Sequence, residues 1–95
     1  MTRIRSVQAD CFRIPLPTAV SDSTHGTMEA FQLITVRIVN TDGATGVGYT
    51  FTVGHGGTAV LALLRDDLAD WLVDQPSDEI DSLWQKMWWR LHWVG

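Results

Sequence analysis

Two histidines hold most of the chemical reach in this sequence. His25 sits in Ser21-Asp22-Ser23-Thr24-His25-Gly26 and His55 in Gly54-His55-Gly56-Gly57, each a Gly-containing stretch with no sustained hydrophobic period. An imidazole can donate, accept or carry a proton near neutral pH, so two of them in flexible loops are candidate contacts for one polar ligand. The plainer reading, that each is solvated and bonds locally, stays open. Neither is surrounded by a catalytic centre. Ser21 and Ser23 next to His25 lack the orienting base that an activated nucleophile needs. The His55 loop has neither the lysine nor the glycine spacing of a phosphate loop, and it lacks the dinucleotide fingerprint. The histidine spacing is no zinc signature.

The other titratable groups are less informative. Lys86 is the only lysine, which rules out a lysine-pair base within this chain; between tryptophans it reads as a solvated cation whose stem covers aromatic surface. Seven of the eleven carboxylates fall between Asp66 and Asp81. That crowding suits a solvated helix face and a helix N-terminus, whereas magnesium or calcium needs oxygens converging from several directions. No catalytic residue and no metal ligand is therefore assigned within the 95 residues. Cys11, the only cysteine, cannot form an intrachain disulfide and reads as a packed thiol in a strand, consistent with a reducing cytoplasm.

Ninety-five residues make one domain, spanning 1–95, large enough for a core but with a thin stability margin. A net charge of -4 gives no basic footprint, so nucleic acid is not expected as a partner. The N-terminus has no apolar signal core and no run reaches membrane-spanning length, so neither secretion nor insertion is expected.

The elements that must position the two loops follow from periodicity. Between residues 32 and 40 polar and apolar residues alternate, with Ile34, Val36 and Ile38 on one face and Leu33, Thr35 and Arg37 on the other. Thr41-Asp42-Gly43 supplies a turn, and Val47, Tyr49 and Phe51 return along a partner strand. Gly46 and Gly48 fall on the opposite face from those three, where a missing side chain lets another layer approach or marks a bulge. Residues 4–13 form a first strand, with Val7, Ala9 and Cys11 alternating against Ser6, Gln8 and Asp10. Pro15 and Pro17 are expected to end it, leaving residues 18–28 as a mobile surface loop. An antiparallel hairpin then brings the loops 20–27 and 52–57 to one end of the sheet.

Two helices complete the chain. Thr58 is the expected N-cap of the first, in which Val60, Leu61, Leu64, Leu68, Trp71 and Leu72 form one apolar stripe. Pro76 breaks it, and Ser77 is the expected N-cap of a second helix over residues 78–91. That helix carries more apolar residues than one stripe can bury, including Trp84, Trp88, Trp89 and Trp93. Core, partner contact and ligand-stacking platform are the competing readings. The surplus up to Trp93-Val94 leads us to expect that the chain is one part of a longer polypeptide.

Phe12-Arg13-Ile14-Pro15-Leu16-Pro17, the loop of Ser21 to Gly26, the hairpin with Asp42-Gly43, Gly46-Val47-Gly48-Tyr49 and the tryptophan-rich helix together, in order and spacing, resemble the N-terminal capping domain of the mandelate racemase and muconate-lactonizing branch of the enolase superfamily. The resemblance covers essentially the whole chain. It implies an α+β fold: a three-stranded antiparallel meander followed by helices packed on one face, lying over a C-terminal (β/α)-barrel that this sequence lacks. It also implies a full-length enzyme that abstracts a proton α to a carboxylate and stabilises the enediolate on Mg2+ held in that barrel. Racemisation, dehydration and cycloisomerisation remain undecided.

Two regions carry over as substrate-facing, residues 20–26 and 52–56. Within them Val20, Ser21, Asp22, His25, Thr52 and His55 are the candidate substrate-binding residues. Their polarity leans toward a hydroxylated small-molecule carboxylate, an acid sugar, as substrate of a dehydratase or racemase. A cytoplasmic homo-oligomer is expected. The competing reading is a stand-alone protein-interaction module that uses the tryptophan surface.

Overall fold

The computed structural model describes residues 2–24 and 26–94. Three antiparallel strands, β1 (Ile4–Asp22), β2 (Gly26–Asn40) and β3 (Thr45–Val53), pair in the order β1-β2-β3. Helical structure follows as α1 (Gly57–Ala62), a π-helical segment Leu63–Ala69, α2 (Asp70–Leu72) and α3 (Ile80–Arg90). This is the expected α+β meander with its helices on one face.

The period of two determines which face the helices cover. Val7, Ala9 and Cys11 pair with Ile38, Val36 and Ile34, which pair in turn with Gly46, Gly48 and Thr50. Side chains paired across a ladder share a face. Ile34 is wholly buried on it and Ala9 nearly so. At its lower end Ile4, Leu68, Leu72 and Leu83 form the core cluster, with Val7, Ile38, Leu64, Trp71, Met87 and Leu91 packed around them. Burying each such aliphatic side chain is worth about 1.5–3 kcal/mol. Leu64, Leu68 and Leu72, at four-residue steps through the π-helical segment, present one face to this core.

Backbone bonds close the lower end. Ile4 N–H donates to the Gln75 carbonyl at 2.9 Å and Asp74 N–H to the Ile4 carbonyl at 2.7 Å, so the linker after α2 is stitched to the first residue of β1. Asp74 takes φ 74°, a left-handed conformation that Asp tolerates better than most residues.

Four expectations are corrected. The prolines do not end β1. The pairing runs to Pro15↔Ala30, slips, and resumes at Val20↔Met28, three extra residues on β1 being absorbed as a bulge. β1 is an edge strand, where a proline costs no ladder bond on its open side. Most of residues 18–28 therefore form two strand arms, joined by a turn in which Thr24 N–H donates to Asp22 Oδ1 at 2.8 Å. These arms give the molecule extents of 49 × 30 × 20 Å and a radius of gyration of 15.8 Å, above the roughly 12 Å of a compact domain this long.

Secondly, the cap of the first helix is not Thr58. Gly56 takes that position with φ 90°, and the Gly57 N–H is bonded by a sheet side chain, Gln32. Thirdly, α3 starts at Ile80 after Glu79, while the Ser77 N–H donates to the Thr2 carbonyl. Its hydroxyl is buried without a protein partner among the described residues. Lastly, no layer closes on the β3 glycines: a Cβ at Gly46 or Gly48 would meet nothing within 4 Å.

Two apolar surfaces stay bare. On the sheet face away from the helices, Phe12, Ile14, Val47, Tyr49 and Phe51 are exposed, with the rings of Phe31 and Phe51 5.2 Å apart and tilted by 37°. On α3, Leu83, Met87 and Leu91 face the core, so Ile80, Trp84, Trp88 and Trp89 face solvent, and Trp93 beyond it is 95% exposed. His92 lies 5.3–5.5 Å from the rings of Trp88, Trp89 and Trp93.

Candidate functional site

β3 stops at Val53, opposite Phe31, but β2 begins further out at Gly26. Beyond Phe31, β2 keeps β1 beside it while the chain leaving β3 turns away through Gly54 and Gly56, at φ 78° and 90°. Only glycine reaches such angles without strain. In the angle so opened lies a pocket of about 350 Å³, lined among others by Arg13, Met28, Glu29, Gln32, Gly54 and His55.

The register explains this grouping. Arg13 pairs with Gln32, which pairs with Thr52, so all three stand in one row on the helix-covered side of the sheet. Gln32 is the anchor of the row. Its Oε1 accepts from the Gly57 N–H at 2.7 Å and from the Thr52 hydroxyl at 3.1 Å. A backbone N–H can only donate, so the atom facing it must be the carbonyl oxygen, and the amide orientation follows. The first free N–H of α1 is thus capped from the sheet, and the turn carrying His55 is tied to β2.

The candidate residues divide accordingly. His55 lines the pocket. Thr52 supports it from behind through Gln32. Val20, Ser21 and Asp22 lie on the outer arm of β1, paired with Met28, Thr27 and Gly26. Their partners Met28 and Thr27 reach the pocket, but they are not among its lining residues. At about 3.3 Å per residue, Val20 sits roughly 10 Å along the arm from the end of β3. His25 lies outside the described residues.

Arg13, Glu29 and Gln32 were not singled out from the sequence. Arg13 and Gln32 share the phase of Cys11 and Ile34 in the two strands, polar residues at the end of faces that are otherwise largely apolar. The signal lay in the register, since only pairing opposite a strand that stops at Val53 opens room beside them.

A second, chiefly apolar groove of about 430 Å³ lies at the other end of the sheet, between Ile38 and Gly46 on one side and Ile80, Trp84 and Met87 on the other. No group of three or more His, Cys, Asp or Glu among the described residues could hold a metal ion. The carboxylates that crowd residues 66–81 are spread along helical and linker surface, so a magnesium ion does not fit the donors among the described residues. Among the described residues no helix is long and apolar enough to cross a membrane.

A three-stranded meander sheet with helices on one face, and a pocket lined by Arg13, Gln32 and His55 at one end, defines an α+β domain of the enolase-type N-terminal class. The chain belongs to the family of the mandelate racemase / muconate lactonizing enzyme N-terminal domain, matched over residues 3–94. It is 54% identical over 92 residues to the 3,6-anhydro-alpha-L-galactonate cycloisomerase of Streptomyces coelicolor, covering 97% of this chain and 26% of that enzyme. It is 31% identical to the L-talarate/galactarate dehydratase of Salmonella typhimurium, covering 98% of this chain and 24% of the relative.

Solved structures agree. A racemase from Streptomyces coelicolor with bound magnesium superposes with a TM-score of 0.93 at 54% identity, over 97% of this chain and 26% of that one. The Salmonella dehydratase with Mg and L-lyxarohydroxamate gives 0.87 at 27% identity, over 99% and 25%. The chain thus spans about a quarter of the length of these relatives, which are enolase-superfamily enzymes.

Proposed function

We propose that this chain is the capping, specificity-determining domain of a longer magnesium-dependent enzyme that removes a proton α to the carboxylate of an acid sugar. The observation that carries the reading is the polar pocket of Arg13, Gln32 and His55 at the hairpin end of the sheet, with turn glycines beside it. Residues 20–26 and 52–56 close over the mouth of a C-terminal barrel and meet the substrate there, with Val20, Ser21, Asp22, His25, Thr52 and His55 as its contacts. The barrel holds Mg2+, which would stabilise the enediolate charge, and supplies the base. This chain orients the substrate and excludes water.

The bare sheet face and the tryptophan stripe on α3 support a role within a larger assembly, since exposed apolar surface on this scale marks contact sites. We assign them to the barrel domain and to neighbouring subunits of a homo-oligomer. The free thiol of Cys11 is in keeping with a cytoplasmic enzyme.

The test is an assay of the full-length polypeptide with Mg2+ on a panel of acid sugars. A 3,6-anhydro-galactonate comes first because of the 54% identical cycloisomerase. Turnover with exchange of the α-proton into deuterated water is the expected result, and the product tells cycloisomerisation, dehydration and racemisation apart. No turnover and no exchange across the panel would refute the proposal.

A further inference from the structure

Gln32 and Arg13 emerge from the register as a pair with donors to spare. The Gln32 Oε1 is already occupied twice, by Gly57 N–H and by Thr52 Oγ1–H. Its Nε2 has no protein acceptor among the described residues, and the same holds for the guanidinium of Arg13 directly across the strand pair. Both residues line the same pocket. A fixed amide donor and a guanidinium thus stand in one row beside a pocket of about 350 Å³, and both can only donate. The oxygens of sugar hydroxyls accept from such donors.

Building on the capping-domain reading, we propose that Gln32 and Arg13 are specificity residues that bind the distal hydroxyls of an acid sugar, with the Gln32 amide held in place by α1 and β3.

The decisive variant is Gln32→Glu. It keeps an acceptor for Gly57 and Thr52 and so keeps the helix start tied to the sheet, but it removes the Nε2 donors. In the full-length enzyme with Mg2+, Q32E and Arg13→Gln should each raise KM about three- to tenfold for a substrate with free distal hydroxyls, the loss expected of one hydrogen bond, while kcat changes less than about twofold. On the analogue lacking those hydroxyls the penalty should vanish, which a merely structural or purely electrostatic effect would not do. Thermal unfolding of both variants reports whether the fold is intact. For a variant that does not fold, the same comparison of hydroxylated and deoxy substrates on the wild type decides: equal kcat/KM values overturn the proposal. Folded variants that match the wild type on the hydroxylated substrate, or that lose equally on both, overturn the assignment while leaving the capping role intact. A wild type that turns over no acid sugar overturns both.

Discussion

The N–H of Gly57 donates to Gln32 Oε1 at 2.7 Å, and a Cβ added to Gly57 would fall 2.6 Å from that oxygen and 2.8 Å from the Gln32 Cβ. Helix and sheet meet here with no room for a methyl group. The amide tip could swing aside, but the Gln32 Cβ belongs to the strand and cannot move without the backbone. Gly57→Ala should therefore destabilise the protein by about 1–3 kcal/mol, as overpacking does. Denaturant unfolding of the full-length protein measures it, and a change below about 0.5 kcal/mol would show that the helix start relaxes freely.

Arg65 ties the π-helical segment to the edge strand. Its Nε and Nη2 both donate to the Ala9 carbonyl, at 3.0 and 2.8 Å, and Nη2 also lies 3.4 Å from Asp10 Oδ1. The carbonyl contact should dominate, because the ion pair is long and its side chains are 53% and 39% exposed. Arg65→Met is expected to cost about 1 kcal/mol. Asp10→Asn should stay within about 0.5 kcal/mol, and the Arg65 effect should persist in high salt.

The tryptophan stripe should make the 95-residue chain sticky when produced by itself. Trp84, Trp89 and Trp93 are 62%, 66% and 95% exposed, and Ile80, one turn before Trp84, is exposed as well. Sedimentation of that piece should show concentration-dependent association. Trp89→Glu with Trp93→Glu should shift it toward monomer. A wild-type piece that sediments as a monomer over a hundredfold concentration range, roughly the span that separates weak from strong self-association, would count against this.

His55 borders the pocket through a turn whose glycines permit rearrangement. In the full-length enzyme His55→Ala should raise KM or shift substrate preference with magnesium affinity unchanged, since this chain does not ligate the metal. His25→Ala should do the same if the β1–β2 arm reaches the substrate. Should either histidine act only in the transition state, kcat would fall as well. Unchanged kinetics of the double variant on every accepted substrate would remove both from the site.

Much of this architecture could be read from local pattern. The alternation of Ile34, Val36 and Ile38, the turn at Asp42-Gly43 and the four-residue steps from Leu64 to Leu72 follow from backbone geometry, which neighbours in sequence decide. The apolar surplus of α3 was equally visible, because one helix face can bury only its own stripe.

Other features depended on partners distant in sequence. Pro15 and Pro17 carry a local signal for stopping, and only the edge position of β1 and a bulge against β2 let the strand pass through them. Thr58 and Ser77 look like caps by type, yet the acceptor for α1 comes from Gln32, 25 residues earlier. Val47, Tyr49 and Phe51 share a face by alternation, but which face meets the helices depended on register with Ile38, and that register left all three exposed. The pocket belongs to the same class. His55 stood out by residue type, whereas Arg13 and Gln32 became neighbours only when three strands aligned and one ended early, a relation that no local run of residues encodes.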